Sequence, residues 1–181
     1  TYAGPITAEV MAQIPKCKII ASYGIGVDTI DLEAATRAGI IVTNNPTYCI
    51  EEVAEHTMAL LLACARKVAF YDRLVRGGRW EVPPGKPMFR LAGSTLGLVG
   101  FGNIARQVAV RAASFGMRVL YADPFVKEGQ FGEPGRKVEL NDLLKESDFV
   151  SVHPPLTPQT RKMINDDDLS RMKPGAFLIN C

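Results

Sequence analysis

The run from Thr95 to Ala105, TLGLVGFGNIA, constrains this chain more than any other stretch, because about twenty residues beyond its glycines comes an acid, Asp123, in the segment LYADP. Leu96, Leu98 and Val99 form a short apolar run suited to a strand buried on both faces of a parallel sheet. Gly100 and Gly102 permit a tight turn and a close backbone approach that a Cβ would block. The pattern then predicts a helix from Asn103 to Phe115, ended by Gly116, and a second strand from Met117 to Ala122. A helix start beside a glycine turn leaves free N–H groups and a partial positive charge, which suits a pyrophosphate. Ala105 occupies the third position of the glycine motif, where a small residue allows helix and strand to pack closely. Asp123 falls where a carboxylate accepts hydrogen bonds from adenosine ribose hydroxyls, although an acid before Pro124 can also simply start a turn. With no Arg beside it, its charge opposes a 2′-phosphate, so the stretch predicts NAD rather than NADP.

Composition narrows the classes around that motif. The 181 residues are 47% hydrophobic and 22% charged, ordinary values for a globular chain with a sizeable core. A net charge of +2 supplies neither a basic footprint for nucleic acid nor a polybasic patch for a membrane surface. Cys17, Cys49, Cys64 and Cys181 show no CxxC pairing, which predicts a reduced, cytoplasmic setting over a disulfide scaffold. The longest apolar run, Met58 to Ala65, is far too short to span a bilayer. The chain opens on Thr1 and stops at Cys181 at the end of an apolar strand, so it reads as a fragment truncated at both ends.

Before the motif, the pattern predicts a helix over Ile6 to Ile14 with Thr7 as N-cap, and a strand over Lys18 to Ser22. A glycine turn, Tyr23 to Asp28, leads to a helix from Asp31 to Ala38 and a strand from Ile40 to Thr43. This strand–helix–strand rhythm argues for parallel α/β organisation in part of a domain. One long helix is predicted from Ile50 to Arg76, since Val53, Ala54, Met58, Leu61, Leu62, Ala65 and Val68 recur at three- and four-residue steps. The domain boundary falls near its start, giving residues 1–51 and 52–181. Arg79 to Ser94 reads as an irregular surface connection. After the motif come a loop over Gly129 to Gly135, a strand over Arg136 to Leu140 and a helix capped by Asn141. A buried strand from Asp148 to His153 ends at Pro154-Pro155, then a helix spans Asn165 to Met172 and a last strand Ala176 to Cys181. Nothing in the spacing of His, Cys and acids suggests a metal, and Asp166-Asp167-Asp168 reads as an acidic helix start.

Taken in order, YGIGVDTIDLEAATRAGIIVTNNP, EEVAEHTMALLLACAR, GLVGFGNIA with YADP, VSVHPPLTPQTRKMIN and MKPGAFLINC resemble the D-isomer-specific 2-hydroxyacid dehydrogenase family across nearly the whole chain. The resemblance implies an α/β, doubly wound parallel sheet, a Rossmann-like NAD domain, joined to part of a second, flavodoxin-like substrate domain. It also implies an active site between the two lobes and a homodimer assembled through the cofactor lobes. The reaction implied is hydride transfer between NAD and C2 of a small 2-hydroxy or 2-oxo acid.

By position, the resemblance implies that the backbone amides of Gly24, Ile25 and Gly26 hold the substrate carboxylate, an anion site if the turn is more than a structural one. Val53 would pack near the nicotinamide, although its helical register also suits a core residue. Gly100, Gly102, Asn103 and Ile104 would form the pyrophosphate turn and Asp123 the ribose acid. His153, Pro154, Pro155 and Thr160 would line the loop along the cofactor, and Cys181 would lie beside the nicotinamide ribose. His153 titrates in the right range for proton transfer, but the family's catalytic His comes much later in the chain. His56, beside Glu55, reads as a surface or packing residue. The polarising Arg and the Glu–His pair are expected beyond Cys181, so the chain alone is expected to show no turnover. A relative that keeps the NAD site but works as a regulatory, co-repressor-like binding protein is the competing reading.

Overall fold

A computed structural model describes residues 4–81 and 87–181, so the centre of the connection predicted over Arg79 to Ser94, residues 82–86, lies outside the described residues. The chain divides into two units, one ending at Cys49 and taking in Pro155–Arg161, the other formed by Ile50–Pro154 and Lys162–Cys181.

In the first unit, β1 (Ile19–Ala21) and β2 (Ile41–Thr43) pair in parallel, with Ile20 beside Val42. The helices α1 (Ala8–Ala12) and α2 (Leu32–Arg37) complete a small core of Met11, Ile20, Ile30, Ala34, Ala35 and Ile40. Asp31 caps α2 as its sequence predicts, its Oδ1 accepting the Ala34 N–H at 2.8 Å. Thr7 occupies the N-cap of α1, yet its hydroxyl makes no capping bond.

The second unit begins with α3 (Ile50–Arg66) and α4 (Val68–Arg76), where sequence periodicity predicts one helix. The break falls at Lys67, which adopts left-handed φ of 53°. The N–H of Phe89 takes the Ala65 carbonyl at 3.2 Å, the acceptor that an unbroken helix would give to Ala69. Burial separates the two pieces as well. The helix α3 buries Ala54, Thr57, Met58, Leu61 and Ala65, whereas α4 buries nothing.

The sheet of this unit has five parallel strands in the order β5 (Arg136–Lys137), β4 (Arg118–Ala122), β3 (Thr95–Val99), β6 (Phe149–Val152), β7 (Phe177–Asn180). Helices α5 (Asn103–Ser114), α6 (Leu140–Glu146) and α7 (Asp166–Arg171) connect them. The strand β3 is buried along its whole length. Leu96 and Leu98 join α3 and α5 in one cluster, while Val99 joins Leu143 and Leu144 of α6 in another. This alternation places the two clusters on opposite faces of the sheet.

The strand predicted over Arg136 to Leu140 stops at Lys137, because the Glu139 carbonyl already accepts the N–H groups of Asp142 and Leu143 at 3.1 and 3.0 Å. The N-cap of α6 is consequently Glu139 rather than Asn141, whose Oδ1 accepts from Arg171 at 2.7 Å. The acidic start of α7 is a capping box. Asn165 Oδ1 accepts from Asp167 and Asp168 N–H groups at 2.9 and 3.2 Å, and Asp168 Oδ2 accepts the Asn165 N–H at 3.2 Å. At the foot of the sheet, Asp148 accepts the Thr95 N–H and the Lys173 ammonium, each at 2.8 Å. Burial by itself pushes the Asp148 carboxyl up, but these bonds outweigh it and hold the group below its ordinary value.

Gly97, in the middle of β3, sets how closely α6 approaches: a Cβ there would overlap Ser147 Oγ and the Leu143 side chain. We expect Gly97→Ala to destabilise the fold by about 1–3 kcal/mol, the usual cost of overpacking. Urea denaturation checks this, and an unchanged midpoint would show that α6 yields freely.

Candidate nucleotide-binding site

Strand register brings the motif residues together. Val99 pairs with Ala122 on one side and with Val152 on the other, so Gly100, Asp123 and His153 leave three adjacent parallel strands at the same level. The order of the strands along the chain reverses at β3, which makes their carboxyl ends the crevice where α/β sheets bind ligands. The Gly100 N–H continues the β4 ladder to Ala122 O, and the His153 N–H bonds Val99 O, both at 2.8 Å.

Gly100 has φ of +81°, and a Cβ on it would lie 3.0 Å from the Pro154 nitrogen. Both the conformation and the space require glycine there. Gly102 differs: its backbone is extended, and a Cβ would meet nothing within 4 Å. What its missing side chain leaves open is the approach to the first turn of α5, which has no side-chain cap. Phe101 anchors the turn from below, buried and stacked on Tyr121 with ring centroids 3.9 Å apart. Ala105 is fully buried beneath the helix start.

Asp123 ties this turn to the end of β4. Its Oδ2 accepts the Phe101 N–H at 2.8 Å, and its Oδ1 accepts those of Phe125 and Val126 at 2.8 and 3.2 Å. The carboxylate therefore starts a turn and steadies the glycine loop at once. A carboxylate has roughly four acceptor positions, so a ribose hydroxyl can still bond it. Beside it lies a depression of about 380 Å³, walled by Val99, Pro124, Val138, Leu140 and Met163. Asp123, Lys137 and Glu139 are also part of its lining, and several apolar walls with a few polar groups suit a flat heterocycle and its sugar.

His153 and Pro154 stand next to this turn in the same unit, whereas Pro155 and Thr160 belong to the segment grouped with the first unit. Thr160 Oγ1 accepts the Thr157 N–H at 2.8 Å and donates to Pro155 O at 2.5 Å, so its hydroxyl serves its own loop. The His153 Nε2 is shut away from solvent with no protein partner among the described residues. Burial lowers its pKa to about 4, so the imidazole is neutral at physiological pH.

Val53 and Cys181 meet through a residue that sequence reasoning passed over. Thr57, fully buried in α3, donates to Val53 O at 2.8 Å and lies 3.3 Å from Cys181 Sγ. With the hydroxyl proton committed, the Cys181 thiol is the donor of that second contact. The register of Thr57, four residues before Leu61 on the apolar stripe, was the available signal. His56 on the same helix is exposed.

In the first unit, Gly24, Ile25 and Gly26 follow β1. Their carbonyls accept from Asn45 N–H at 3.1 Å, Asn44 Nδ2 at 2.8 Å and Ser22 Oγ at 3.0 Å respectively. Among the described residues, none of their own N–H groups is bonded to a protein acceptor. A turn whose carbonyls are tied back and whose amides are open can take an anion.

A reversed parallel strand order, an open helix start after a glycine turn and an acid at the end of the second strand define a dinucleotide-binding domain of the Rossmann class. The profile described as D-isomer specific 2-hydroxyacid dehydrogenase, NAD binding domain, matches residues 58–181. The chain belongs to this family. It is 48% identical to a glyoxylate reductase of Korarchaeum cryptofilum over 97% of this chain and 54% of that protein. It is 43% identical to a hydroxypyruvate reductase of Thermotoga maritima over 98% of this chain and 57% of that protein. The D-lactate dehydrogenase of Aquifex aeolicus, solved with NAD and lactic acid, superposes with a TM-score of 0.90 at 36% identity, covering 97% of this chain and 53% of that one. The chain thus spans about half the length of the curated relatives it matches. Among the described residues, no helix is long and apolar enough to cross a membrane.

The buried imidazole has a consequence for stability. Its pKa falls from 6.5 to about 4 on folding, so between these values the unfolded chain takes up a proton that the folded chain refuses. His153 therefore costs stability as pH drops through this window, by about 3 kcal/mol at most. We expect His153→Gln to flatten the loss of stability between pH 6.5 and pH 4; denaturation midpoints across that range, with equal slopes for both proteins, would refute the assignment.

Proposed function

We propose that this protein is an NAD-dependent oxidoreductase that moves a hydride between the cofactor and C2 of a small 2-hydroxy or 2-oxo acid. The observation that carries the reading is the row of Gly100, Asp123 and His153 at the ends of adjacent strands, beside the open first turn of α5. The amides after Gly102, with Asn103 and Ile104, bind the pyrophosphate. Asp123 accepts the ribose hydroxyls, and the depression beside Pro124 and Val138 takes the adenine. His153 and Pro154 wall the far side of the turn, while Pro155 and Thr160 continue the cofactor loop. Val53, Thr57 and Cys181 form the floor for the nicotinamide end. NAD, when bound, supplies or accepts the hydride. The amides of Gly24, Ile25 and Gly26 hold the substrate carboxylate, which orients C2. Polarising the carbonyl and exchanging its proton require a cation and an acid–base pair, and we assign neither role to a residue of this chain. His153 is a poor candidate for proton exchange because its buried ring stays neutral.

We further propose a cytoplasmic homodimer. Free Cys17, Cys49, Cys64 and Cys181 support the reducing compartment. The helix α4, with no buried residue and with Val68 and Val75 exposed, supports a partner surface on the cofactor unit, and Trp80 just beyond it is 89% exposed. Sedimentation that found only monomer at micromolar concentration would overturn the dimer.

Fluorescence titration with NADH and NADPH tests the cofactor site. Asp123→Ala would also strip the acceptor from three backbone amides, so Asp123→Asn, which keeps one oxygen and loses the charge, is the cleaner variant. We expect the wild type to prefer NADH, and Asp123→Asn to narrow that preference by about tenfold. An unchanged affinity ratio would remove the ribose assignment.

A further inference from the structure

Asn103 opens α5, and Arg106 follows on the same helix face. The Arg106 Nη2 donates to Asn103 Oδ1 at 2.5 Å and its Nη1 to Glu133 Oε1 at 3.0 Å. The guanidinium carbon sits 4.1 Å from the centre of the Phe131 ring, a cation–π arrangement. Gly129, Gly132 and Gly135, with φ of 70°, 77° and 146°, let the loop carrying Phe131 and Glu133 adopt its shape. The ion pair is largely enclosed, its side chains 22% and 20% exposed.

An arginine side chain has donors and no acceptor, so the Asn103 amide atom that faces it must be the oxygen. This removes the freedom of that amide to flip. Its NH2 group is then turned off Arg106, and it donates to no other protein group among the described residues. Asn103 is exposed beside Gly102, at the open start of the helix. Glu133 offsets the charge of Arg106, so Arg106 contributes geometry more than long-range attraction.

We propose that Arg106 is a positioning residue for pyrophosphate recognition. It locks the Asn103 amide so that the NH2 is presented to a phosphate oxygen, while Glu133 and Phe131 hold the guanidinium still. The inference rests on the assignment of the α5 start to the pyrophosphate. It adds an orienting layer behind the glycine turn, built from the helix and from the loop after Asp123.

The test is a double-mutant cycle on NADH dissociation constants in the whole chain, with adenosine as a ligand that lacks phosphates. Arg106→Met is expected to weaken NADH about fivefold in the wild-type background and scarcely at all once Asn103→Ala is present. Adenosine binding should be unchanged by either. Asn103→Asp keeps an acceptor for Arg106 and lacks the donor, so it should weaken NADH at least as much as Asn103→Ala while the thermal midpoint holds. Equal losses from Arg106→Met in both backgrounds would overturn the proposal, as would wild-type affinity in Asn103→Asp. If both single variants bound NADH normally while Asp123→Asn still shifted cofactor preference, the positioning role would fall and the NAD site would stand. Absence of NADH binding by the wild type would bring down both.

Discussion

Leu96, Leu98 and Val99 lose their contact with water because β4 and β6 flank β3 while helices α3 and α5 cover one face and α6 the other. Each such side chain contributes about 1.5–3 kcal/mol when fully buried. That burial locates everything downstream of it. With β3 central and its register set against both neighbours, Gly100 must emerge level with Asp123 and His153. Gly97 belongs to the same constraint, since α6 reaches the sheet only where no side chain intervenes. The cofactor site is thus a by-product of how the strand is packed, and its precision comes from a rigid element.

The glycine turn depends on a second contact. A loop with positive φ at Gly100 and an open helix start has little of its own to hold it, and Asp123 provides the tie through the Phe101 N–H. Phe101 adds an apolar anchor by stacking on Tyr121. The two readings of Asp123, turn former and ribose acid, are therefore compatible. A carboxylate already held by three amides is also fixed in orientation, which lowers the entropic cost of meeting a ribose.

Where sequence reasoning went astray, the deciding contact came from far along the chain. Periodicity carried the helix from Ile50 through Arg76 because Val68 continues the apolar stripe, but the N–H of Phe89 claims the Ala65 carbonyl and the helix breaks at Lys67. Asn141 was a plausible cap by type, yet the cap falls two residues earlier, at Glu139, and leaves the Asn141 side chain for Arg171. Thr57 reads as an ordinary helix residue until its hydroxyl is seen between Val53 and Cys181. The link from Arg106 to Glu133 crosses a glycine-rich loop whose path no periodicity describes.

The sequence by itself determined the strand–turn–helix–strand unit from Thr95 to Asp123, the capping of α2 by Asp31 and the acidic start of α7, and it pointed to the family through ordered blocks. These features are short-range: apolar period, glycine freedom and side-chain caps act within a few residues and are written in adjacent letters. Only the tertiary structure decided that Gly102 is open while Gly100 is wedged against Pro154, that Asp123 serves three amides, and that His153 is neutral. Each of these depends on which distant groups share a low-dielectric interior. Hydrogen-bond geometry and desolvation are set by those neighbours, and a linear pattern does not encode them.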